Sequence, residues 1–339
     1  MREAQIYKNL EDKKVKCELC YYECLINSGG TGVCGVRYNN DGVLLSLVYG
    51  KVIAKNIDPV EKKPLFHFMP GTRTYSIGTV GCNLHCSNCQ NYSISQTAKT
   101  SQKQNIPDVP GKDMTAEQVV REALDNNCPS ISYTYNEPTV FFEFALDCMK
   151  LAKENGLKNI WVSNGYMSDK CLDEIIPYLD AINVDLKFFT DKNYIKVCGA
   201  KLEPILKNIQ KIKKAGVWVE LTTLLIHGYN DSIEELKNIA EFIANKLDVF
   251  TPWHILRFFP NYKLTDVMPT EKEKLIEAYD IGKKTGLKYV YIGNVLDSCR
   301  SGTYCPKNHL VIERKGVCVQ RLDKDGKCPE CGEEIIIVE

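Results

Sequence analysis

Three cysteines in one short segment have the types and the spacing of a metal-cluster loop. Cys82, Cys86 and Cys89 form a C-x3-C-x2-C pattern, and no further cysteine follows them within ligand distance. A [4Fe–4S] cluster normally binds four protein thiolates, so three would leave one iron open to a small molecule. Open metal sites are typical of catalytic centres, whereas structural zinc sites are closed by four ligands. The spacing therefore favours a catalytic iron–sulfur cluster over the alternative, a structural zinc knuckle.

A second group of four cysteines lies near the N-terminus, at positions Cys17, Cys20, Cys24 and Cys34. Four thiolates are enough for a closed zinc site or for a second [4Fe–4S] cluster, because both accept four cysteine ligands. The spacing alone does not decide between zinc and iron. We favour a structural metal site here, with an auxiliary cluster as the alternative.

A third group lies near the C-terminus and flanks a hairpin that the pattern predicts at 310–322. It is similar to a zinc ribbon or a rubredoxin knuckle in which the first arm lacks one cysteine. We expect a histidine in that place, because imidazole suits zinc better than a rubredoxin iron. The expected ligands are Cys305, His309, Cys328 and Cys331. Cys299 or Cys318 could substitute for the histidine.

Composition excludes several classes of protein. The chain has 339 residues, 16 cysteines and a formal net charge of zero, so nothing in it favours nucleic acid or an anionic membrane as a partner. No apolar run approaches the roughly 20 residues that span a bilayer. Clustered C-x2-C pairs indicate reduced, metal-binding thiols rather than a disulfide scaffold. We therefore expect a soluble, cytoplasmic protein with no membrane segment.

From Thr74 onward, short apolar runs alternate with helical patterns. The predicted strands cover 75–80, 130–135, 159–163, 181–188, 217–226, 253–259 and 289–292. The predicted helices cover 114–126, 140–154, 168–178, 202–214, 232–247 and 270–284, and the first begins with the spacing of a capping box at Thr115. This alternation predicts an α/β fold with a parallel sheet, and six or seven units are too few for a closed eight-stranded barrel.

The fold expected is a partial (β/α)6 barrel, similar to a TIM barrel, between two small cysteine-rich extensions that bind metal. We divide the chain into an N-terminal extension at 1–70, the barrel at 71–296 and a zinc-ribbon or rubredoxin-like module at 297–339. In parallel barrels, functional groups gather at the C-terminal ends of the strands. The candidate cofactor-binding residues at these ends are Asn136, Glu137, Ser163, Asn164, Asp185, Lys187, Thr222, His254, Arg257 and Asn294.

Two of these candidates also have a purely structural interpretation. Asp185 and Lys187 are alternate residues and so face the same side of their strand, where they could form only a buried salt bridge. His254, taken alone, is typical of a core histidine, and its position on a barrel strand is what favours a functional role.

The cysteine loop and the strand ends together resemble the radical SAM enzymes. In that superfamily the open iron chelates the amino and carboxylate groups of S-adenosylmethionine, which yields a 5′-deoxyadenosyl radical. Glu137 and Pro138 resemble the end of its Gly-Gly-Glu-Pro motif, which binds the amino group, although Tyr135 and Asn136 replace the glycines. Residues 163–165 resemble the Thr-Asn-Gly motif that lines the ribose and carboxylate. Residues 183–187 resemble the Asp-Leu-Lys motif of glycyl-radical activases.

A narrower resemblance covers nearly the whole chain. The runs at 58–65, 78–91 and 291–294 are similar to the radical SAM proteins of the AmmeMemoRadiSam system, which are relatives of pyruvate formate-lyase activating enzyme. This resemblance implies a flavodoxin-like or ferredoxin-like reductant and association with an AMMECR-type and a Memo-type protein, but it names no substrate. The alternatives are activation of a glycyl radical enzyme and a non-catalytic zinc-ribbon adaptor. Zero net charge argues against an adaptor for nucleic acid.

Overall fold

The computed structural model describes residues 1–100 and 106–339, and an eight-stranded sheet forms its centre. Its strands are β1 (Ala54–Pro59), β2 (Arg73–Gly78), β3 (Ser130–Tyr133), β4 (Lys158–Ser163), β5 (Ala181–Asp185), β6 (Trp218–Leu225), β7 (Trp253–Arg257) and β8 (Val290–Gly293). Strands β2 to β8 are parallel and lie in sequence order, while β1 pairs antiparallel with β2. Within the described residues β1 and β8 are unpaired edges, so the barrel is open.

Six main helices follow the parallel strands β2 to β7, one after each. They are α1 (Ala116–Asp125), α2 (Phe142–Glu154), α3 (Asp169–Ile175), α4 (Leu202–Lys214), α5 (Ile233–Phe242) and α6 (Lys272–Lys284). The α4 helix buries Ile205, Ile209 and Ile212, whose spacing places them on one face against the sheet. The predicted parallel α/β sheet is therefore confirmed, with six strand–helix units and a last strand.

Local sequence signals set several helix ends. The hydroxyl of Thr115 accepts from the backbone N–H of Gln118 at 3.2 Å, and the Gln118 side chain accepts from the Thr115 N–H at 2.8 Å, which confirms the predicted capping box. Ser168 and Ser232 cap α3 and α5 with their hydroxyl oxygens, each of which accepts from one backbone N–H of the first turn. Short helical segments at Ile176–Tyr178 and Ile243–Leu247 extend α3 and α5 to the ends expected from the sequence.

One predicted strand is too long. The sequence predicts a strand over 181–188, but β5 ends at Asp185, because the chain turns there and Asn230 holds the turn. The Asn230 side-chain amide donates to the carbonyl of Lys187 at 2.7 Å and to that of Leu224 at 2.9 Å. Lys187 thus lies in the loop beyond the strand.

The N-terminal residues form small antiparallel sheets that pack beside α2. Their strands are Arg2–Glu3, Tyr7–Asn9, Val15–Cys17, Leu25–Ile26, Arg37–Asn40, Val43–Ser46 and Lys51–Val52, the last pairing with Lys112–Asp113. The buried pair Arg37–Glu143, with 2.6 Å between Nη1 and Oε1, joins this region to α2. The strand β1, which the predicted boundary at residue 70 assigns to the N-terminal extension, pairs with barrel strand β2 along its whole length.

The C-terminal residues form a three-stranded antiparallel sheet, Thr303–Tyr304, Leu310–Lys315 and Val317–Gln320, after a short helix at Ser298–Ser301. The last two strands are the hairpin expected from the sequence. Together with the segment 60–72, this module covers the N-terminal end of the barrel, and we call that cover the barrel floor. The backbone N–H of Val338 donates to the carbonyl of His67 at 2.8 Å there. Within the described residues, no helix is long and apolar enough to cross a bilayer.

Candidate functional site

The loop that carries Cys82, Cys86 and Cys89 begins directly after β2, at the C-terminal edge of the parallel sheet. Two glycines let the chain leave the strand in a crowded place. A Cβ on Gly78 would lie 2.6 Å from the carbonyl oxygen of Thr134, and one on Gly81, at φ +91°, would lie 2.7 Å from a methyl group of Val36. Cys86 is buried, and the other two cysteines are half-buried.

Neighbouring segments hold this loop by backbone hydrogen bonds. The N–H groups of His85 and Ser87 donate to the carbonyls of Cys198 and Val197, each at 2.9 Å, and the N–H of Lys263 donates to the carbonyl of Ser87 at 2.9 Å. The loop is therefore positioned by segments that follow β5 and β7. Three sulfur atoms on one supported loop are a donor set that suits three irons of a [4Fe–4S] cluster.

Asn136 fixes the start of the loop. Its side-chain amide donates to the carbonyl of Gly81 at 2.7 Å and to the hydroxyl of Thr79 at 3.2 Å. Its own oxygen accepts from the Thr79 N–H at 3.3 Å. Asn136 thus binds the chain just before Cys82.

Glu137 is 2 % exposed and connects the ends of β3 and β4. Its Oε1 accepts from the hydroxyls of Thr139 at 2.6 Å and Ser163 at 2.8 Å, and its Oε2 accepts from the backbone N–H of Asn164 at 2.8 Å. Burial raises the pKa of Glu137, while these hydrogen bonds oppose the rise. The sequence predicts this carboxylate as an acceptor for an ammonium group, and in the structure it accepts from these protein donors.

Asn164 extends this network to the cysteine loop. Its side-chain amide donates to Oδ1 of Asn83 at 2.8 Å and lies 3.9 Å from the Cys82 sulfur. Asn83 in turn donates to the carbonyl of Tyr166 at 3.2 Å. The sequence analysis did not single out Asn83, although its place next to Cys82 was a usable signal. Asn136, Glu137, Ser163 and Asn164 are thus brought together around the start of the loop.

Asp185 and Lys187 form an ion pair, with 2.8 Å between the ammonium nitrogen and the carboxylate. Both side chains are partly exposed. Burial opposes the charged form of Lys187, but the carboxylate of Asp185 favours it, and the lysine pKa is held well above its usual range. The pair therefore places an ammonium group and a carboxylate close to the cysteine loop.

Thr222 lies beside Asp185 and His254 in the strand register. Its hydroxyl is buried, and among the described residues it has no hydrogen-bond partner. Buried polar groups are normally satisfied, so this oxygen is suited to a bound molecule in the barrel.

His254 has a different environment from the other candidates. It is 2 % exposed, and its Nε2 lies 2.6 Å from Oε2 of Glu220. The carboxylate of Glu220 also accepts from the N–H groups of Phe66 and His67, at 2.9 and 2.8 Å. The structure therefore connects His254 to the barrel floor and does not bring it to the cysteine loop. Sequence analysis missed Glu220 and His67, which lie about 150 residues apart.

Arg257 and Asn294 lie at the C-terminal ends of β7 and β8, on the same edge of the sheet as the cysteine loop. The amide of Asn294 donates to the Arg257 carbonyl at 3.2 Å, and the Arg257 Nε donates to the Thr270 carbonyl at 2.7 Å. Both residues are solvent-accessible at this edge. They are placed to contact a molecule bound over the cysteine loop. Among the described residues, their hydrogen bonds do not join them to the candidates around Cys82.

The N-terminal cysteines line a space beside the cysteine loop. Its lining includes the four predicted ligands Cys17, Cys20, Cys24 and Cys34. Asn83 of the loop and the buried Arg37 line the same cavity. The structure thus brings the four cysteines around one space that borders the cysteine loop.

The C-terminal candidates converge closely. The ligand atoms of Cys305, His309, Cys328 and Cys331 all lie within 4.8 Å of one another. The Cys305 sulfur is 3.4 Å from Nδ1 of His309 and 3.6 Å from the Cys331 sulfur. The alternatives lie elsewhere, because Cys299 is exposed on a short helix and the Cys318 sulfur is next to Gly71. This set can hold one tetrahedral metal ion. It lies on the C-terminal module, which is part of the barrel floor, at the opposite end of the barrel from the cysteine loop.

Comparison with known proteins agrees with this geometry. Residues 76–243 match the model of the Radical SAM superfamily. An uncharacterized protein of Methanocaldococcus jannaschii is 46 % identical over the full length of both chains. The pyruvate formate-lyase-activating enzyme of Clostridium pasteurianum is 27 % identical over 62 % of this chain and 90 % of its own.

A solved structure shares the fold at low sequence identity. A radical SAM methyltransferase from Sphaerobacter thermophilus superposes with a TM-score of 0.51 and 16 % identity, over 69 % of this chain and 70 % of that one. The open parallel sheet, the C-x3-C-x2-C loop at its C-terminal edge and the family match agree with one another. The chain belongs to the Radical SAM superfamily.

Proposed function

We propose that the protein is a radical SAM enzyme that holds a [4Fe–4S] cluster on Cys82, Cys86 and Cys89 and cleaves S-adenosylmethionine reductively. The observation that carries this proposal is the hydrogen-bonded contact between the cysteine loop and the ends of β3 and β4, through Asn136 and Asn164. The bound cluster and cofactor supply a 5′-deoxyadenosyl radical that removes hydrogen from a substrate. A cytoplasmic location accords with the reduced thiols that such a cluster needs.

In this proposal the chain's residues position the cofactor. Asn136 and Glu137 hold the loop against β4, and Ser163 and Asn164 present polar groups beside Cys82. The hydroxyl of Thr222 provides a buried acceptor inside the barrel. Three charged or polar side chains complete the cofactor-binding edge, namely Lys187, Arg257 and Asn294. His254 lies beside Thr222 in the strand register and on the same strand as Arg257.

The partners follow from the same proposal. A flavodoxin-like or ferredoxin-like protein would supply the electron. Association with an AMMECR-type and a Memo-type protein rests on the sequence resemblance in the runs 58–65, 78–91 and 291–294. Anaerobic co-purification of the tagged chain with each candidate, against a tag-only control, tests the association.

A second candidate function is activation of a glycyl radical enzyme. It is supported by the ion pair of Asp185 and Lys187 beside the loop and by the similarity to activating enzymes of this kind. Incubation with a glycyl radical enzyme, S-adenosylmethionine and reductant should then give a glycyl radical signal in electron paramagnetic resonance, and Asp185→Asn should weaken it. Cofactor cleavage without that signal would leave the first proposal standing and remove the second.

The central test is reductive cleavage by the reconstituted protein. Under anaerobic conditions with dithionite, the wild type should release 5′-deoxyadenosine and methionine from S-adenosylmethionine, and Cys86→Ala should abolish the release, because two thiolates cannot hold the cluster in its open form. Cys299→Ser, which removes an exposed cysteine outside all three groups, is the matched control and should keep wild-type activity. Equal cleavage by Cys86→Ala and the control would reject the proposal.

A further inference from the structure

Two cysteine-rich groups of this chain differ in how closely their ligand atoms approach. A single zinc ion with bonds of about 2.3 Å to sulfur places its thiolates about 3.8 Å apart. The C-terminal group has this geometry, with 3.6 Å between the sulfurs of Cys305 and Cys331. Among residues 1–100 and 106–339, it is the one group of possible metal ligands found with all its ligand atoms within 4.8 Å of one another. The described N-terminal cysteines do not form such a set.

The four N-terminal cysteines line a common space. Cys17, Cys20, Cys24 and Cys34 all border it. The rest of its lining is largely apolar, including Leu19, Val33 and Val140. A cubane cluster keeps its four thiolates apart, each on a different iron, and fills the space between them. Four cysteines around one space, without the close approach of a zinc set, suit a polynuclear cluster better than a single ion.

A buried donor at the same cavity gives a second, independent observation. Arg37 lines the space and is only 2 % exposed. Its Nη1 donates to Glu143 at 2.6 Å and its Nη2 donates to the Val140 carbonyl at 3.2 Å, but in the described parts of the chain its Nε has no partner. Glu143 offsets much of the guanidinium charge, so the contribution of Arg37 is an N–H donor. Sulfur atoms of iron–sulfur clusters accept such bonds.

We propose that Cys17, Cys20, Cys24 and Cys34 bind a second [4Fe–4S] cluster, with the Nε–H of Arg37 directed to its sulfur atoms. This cluster borders the first cysteine loop. Asn83 lines its cavity and is the residue after Cys82, and a Cβ on Gly81 would lie 2.9 Å from the carbonyl oxygen of Cys34. The site is independent of the radical chemistry proposed above, because it uses none of the three cysteines of the loop.

The test removes the first cluster and asks what the chain still binds. In the variant with Cys82, Cys86 and Cys89 all changed to alanine, anaerobic reconstitution should leave about four iron and four sulfide per chain, where the wild type binds about eight of each. Reduction with dithionite should give the electron paramagnetic resonance signal of a [4Fe–4S]⁺ cluster. The N-terminal cysteines are intact in this variant, so it keeps the proposed ligands of the second cluster.

A reciprocal pair of variants locates the cluster. Cys20→Ser in the triple-alanine background should lose that iron and sulfide, whereas Cys299→Ser in the same background should keep them. Two outcomes in the triple-alanine protein would overturn the proposal. One is a second zinc, in addition to the zinc of the C-terminal group, with no sulfide. The other is no metal at the N-terminal cysteines at all. The cleavage assay does not enter this test, so a failure here is distinct from a failure of the proposed function.

Discussion

Mild acid should destabilise the protein through one buried histidine of the barrel floor. The side chain of His67 is fully buried, and its Nδ1–H donates to the carbonyl of Ile336 at 2.7 Å. A carbonyl only accepts, so this bond fixes the tautomer and leaves Nε2 to accept from the hydroxyl of Tyr291 at 2.6 Å. Burial lowers the pKa of His67 from 6.5 to about 4, although the carboxylate of Glu220 opposes the shift.

The sign of the pH effect follows from this shift. The unfolded chain accepts a proton near the ordinary histidine pKa, whereas the folded protein keeps His67 neutral, so stability falls as the pH drops from 6.5 toward about 4. A difference of about 2.5 pKa units corresponds to about 3.4 kcal/mol in full. Between about pH 7.5 and pH 5.5, the part lost is about 1.3 kcal/mol.

Thermal unfolding of the wild type and of His67→Gln at these two pH values measures the effect. The variant should be less stable at both, because glutamine does not reproduce both hydrogen bonds, but its stability should fall by about 1.3 kcal/mol less on acidification. His227→Gln is the matched control, because the side chain of His227 is 68 % exposed and pairs only with Asp231 in this structure. Parallel losses in the wild type and His67→Gln would refute the reasoning, since the groups that titrate elsewhere cancel in the comparison.

Two further predictions concern the polar network and the C-terminal site. Glu137→Gln should destabilise the protein by about 1–3 kcal/mol and slow cofactor cleavage, because the amide N–H groups would face donors that now bind a carboxylate. Unfolding and product assays measure the two effects. Glu234→Gln, on the exposed face of α5, is the control and should change neither stability nor cleavage. Cys328→Ser should lose about one zinc per chain by elemental analysis while the iron content stays at the wild-type level. Unchanged zinc in that variant would argue against the assigned ligands.

The sequence predicted the barrel well because its signals are local. The helix predicted at 202–214 is confirmed residue for residue, since Ile205, Ile209 and Ile212 repeat at helical spacing and Gly216 follows the end. The order of strands and helices was enough to infer a parallel sheet. The loop cysteines were recognisable because all three lie within eight residues of sequence. Strand ends were less certain, as β5 shows, because a distant asparagine decides where that strand stops.

The parts of the site that the sequence did not reveal depend on contacts between residues far apart in the chain. Nothing local to His254 reveals that its partner is Glu220, or that Glu220 also binds the backbone at residues 66 and 67. The spacing of the N-terminal cysteines allowed both zinc and iron, and the cluster proposed there depends on a cavity lined by residues far apart in sequence. The partners of Glu137 also come from two places in the chain, Thr139 just after it and Ser163 at the end of β4.

The barrel floor has a consequence for the order in which the protein folds. His67 and Ile336, which meet there, are separated by 269 positions in the chain, whereas neighbouring barrel strands are joined by much shorter connections. Closing such a long loop costs entropy before any contact compensates for it, so contacts of this kind form slowly. The parallel strands should therefore assemble first, and the floor should seal last. The C-terminal module would then be the last part of the chain to dock.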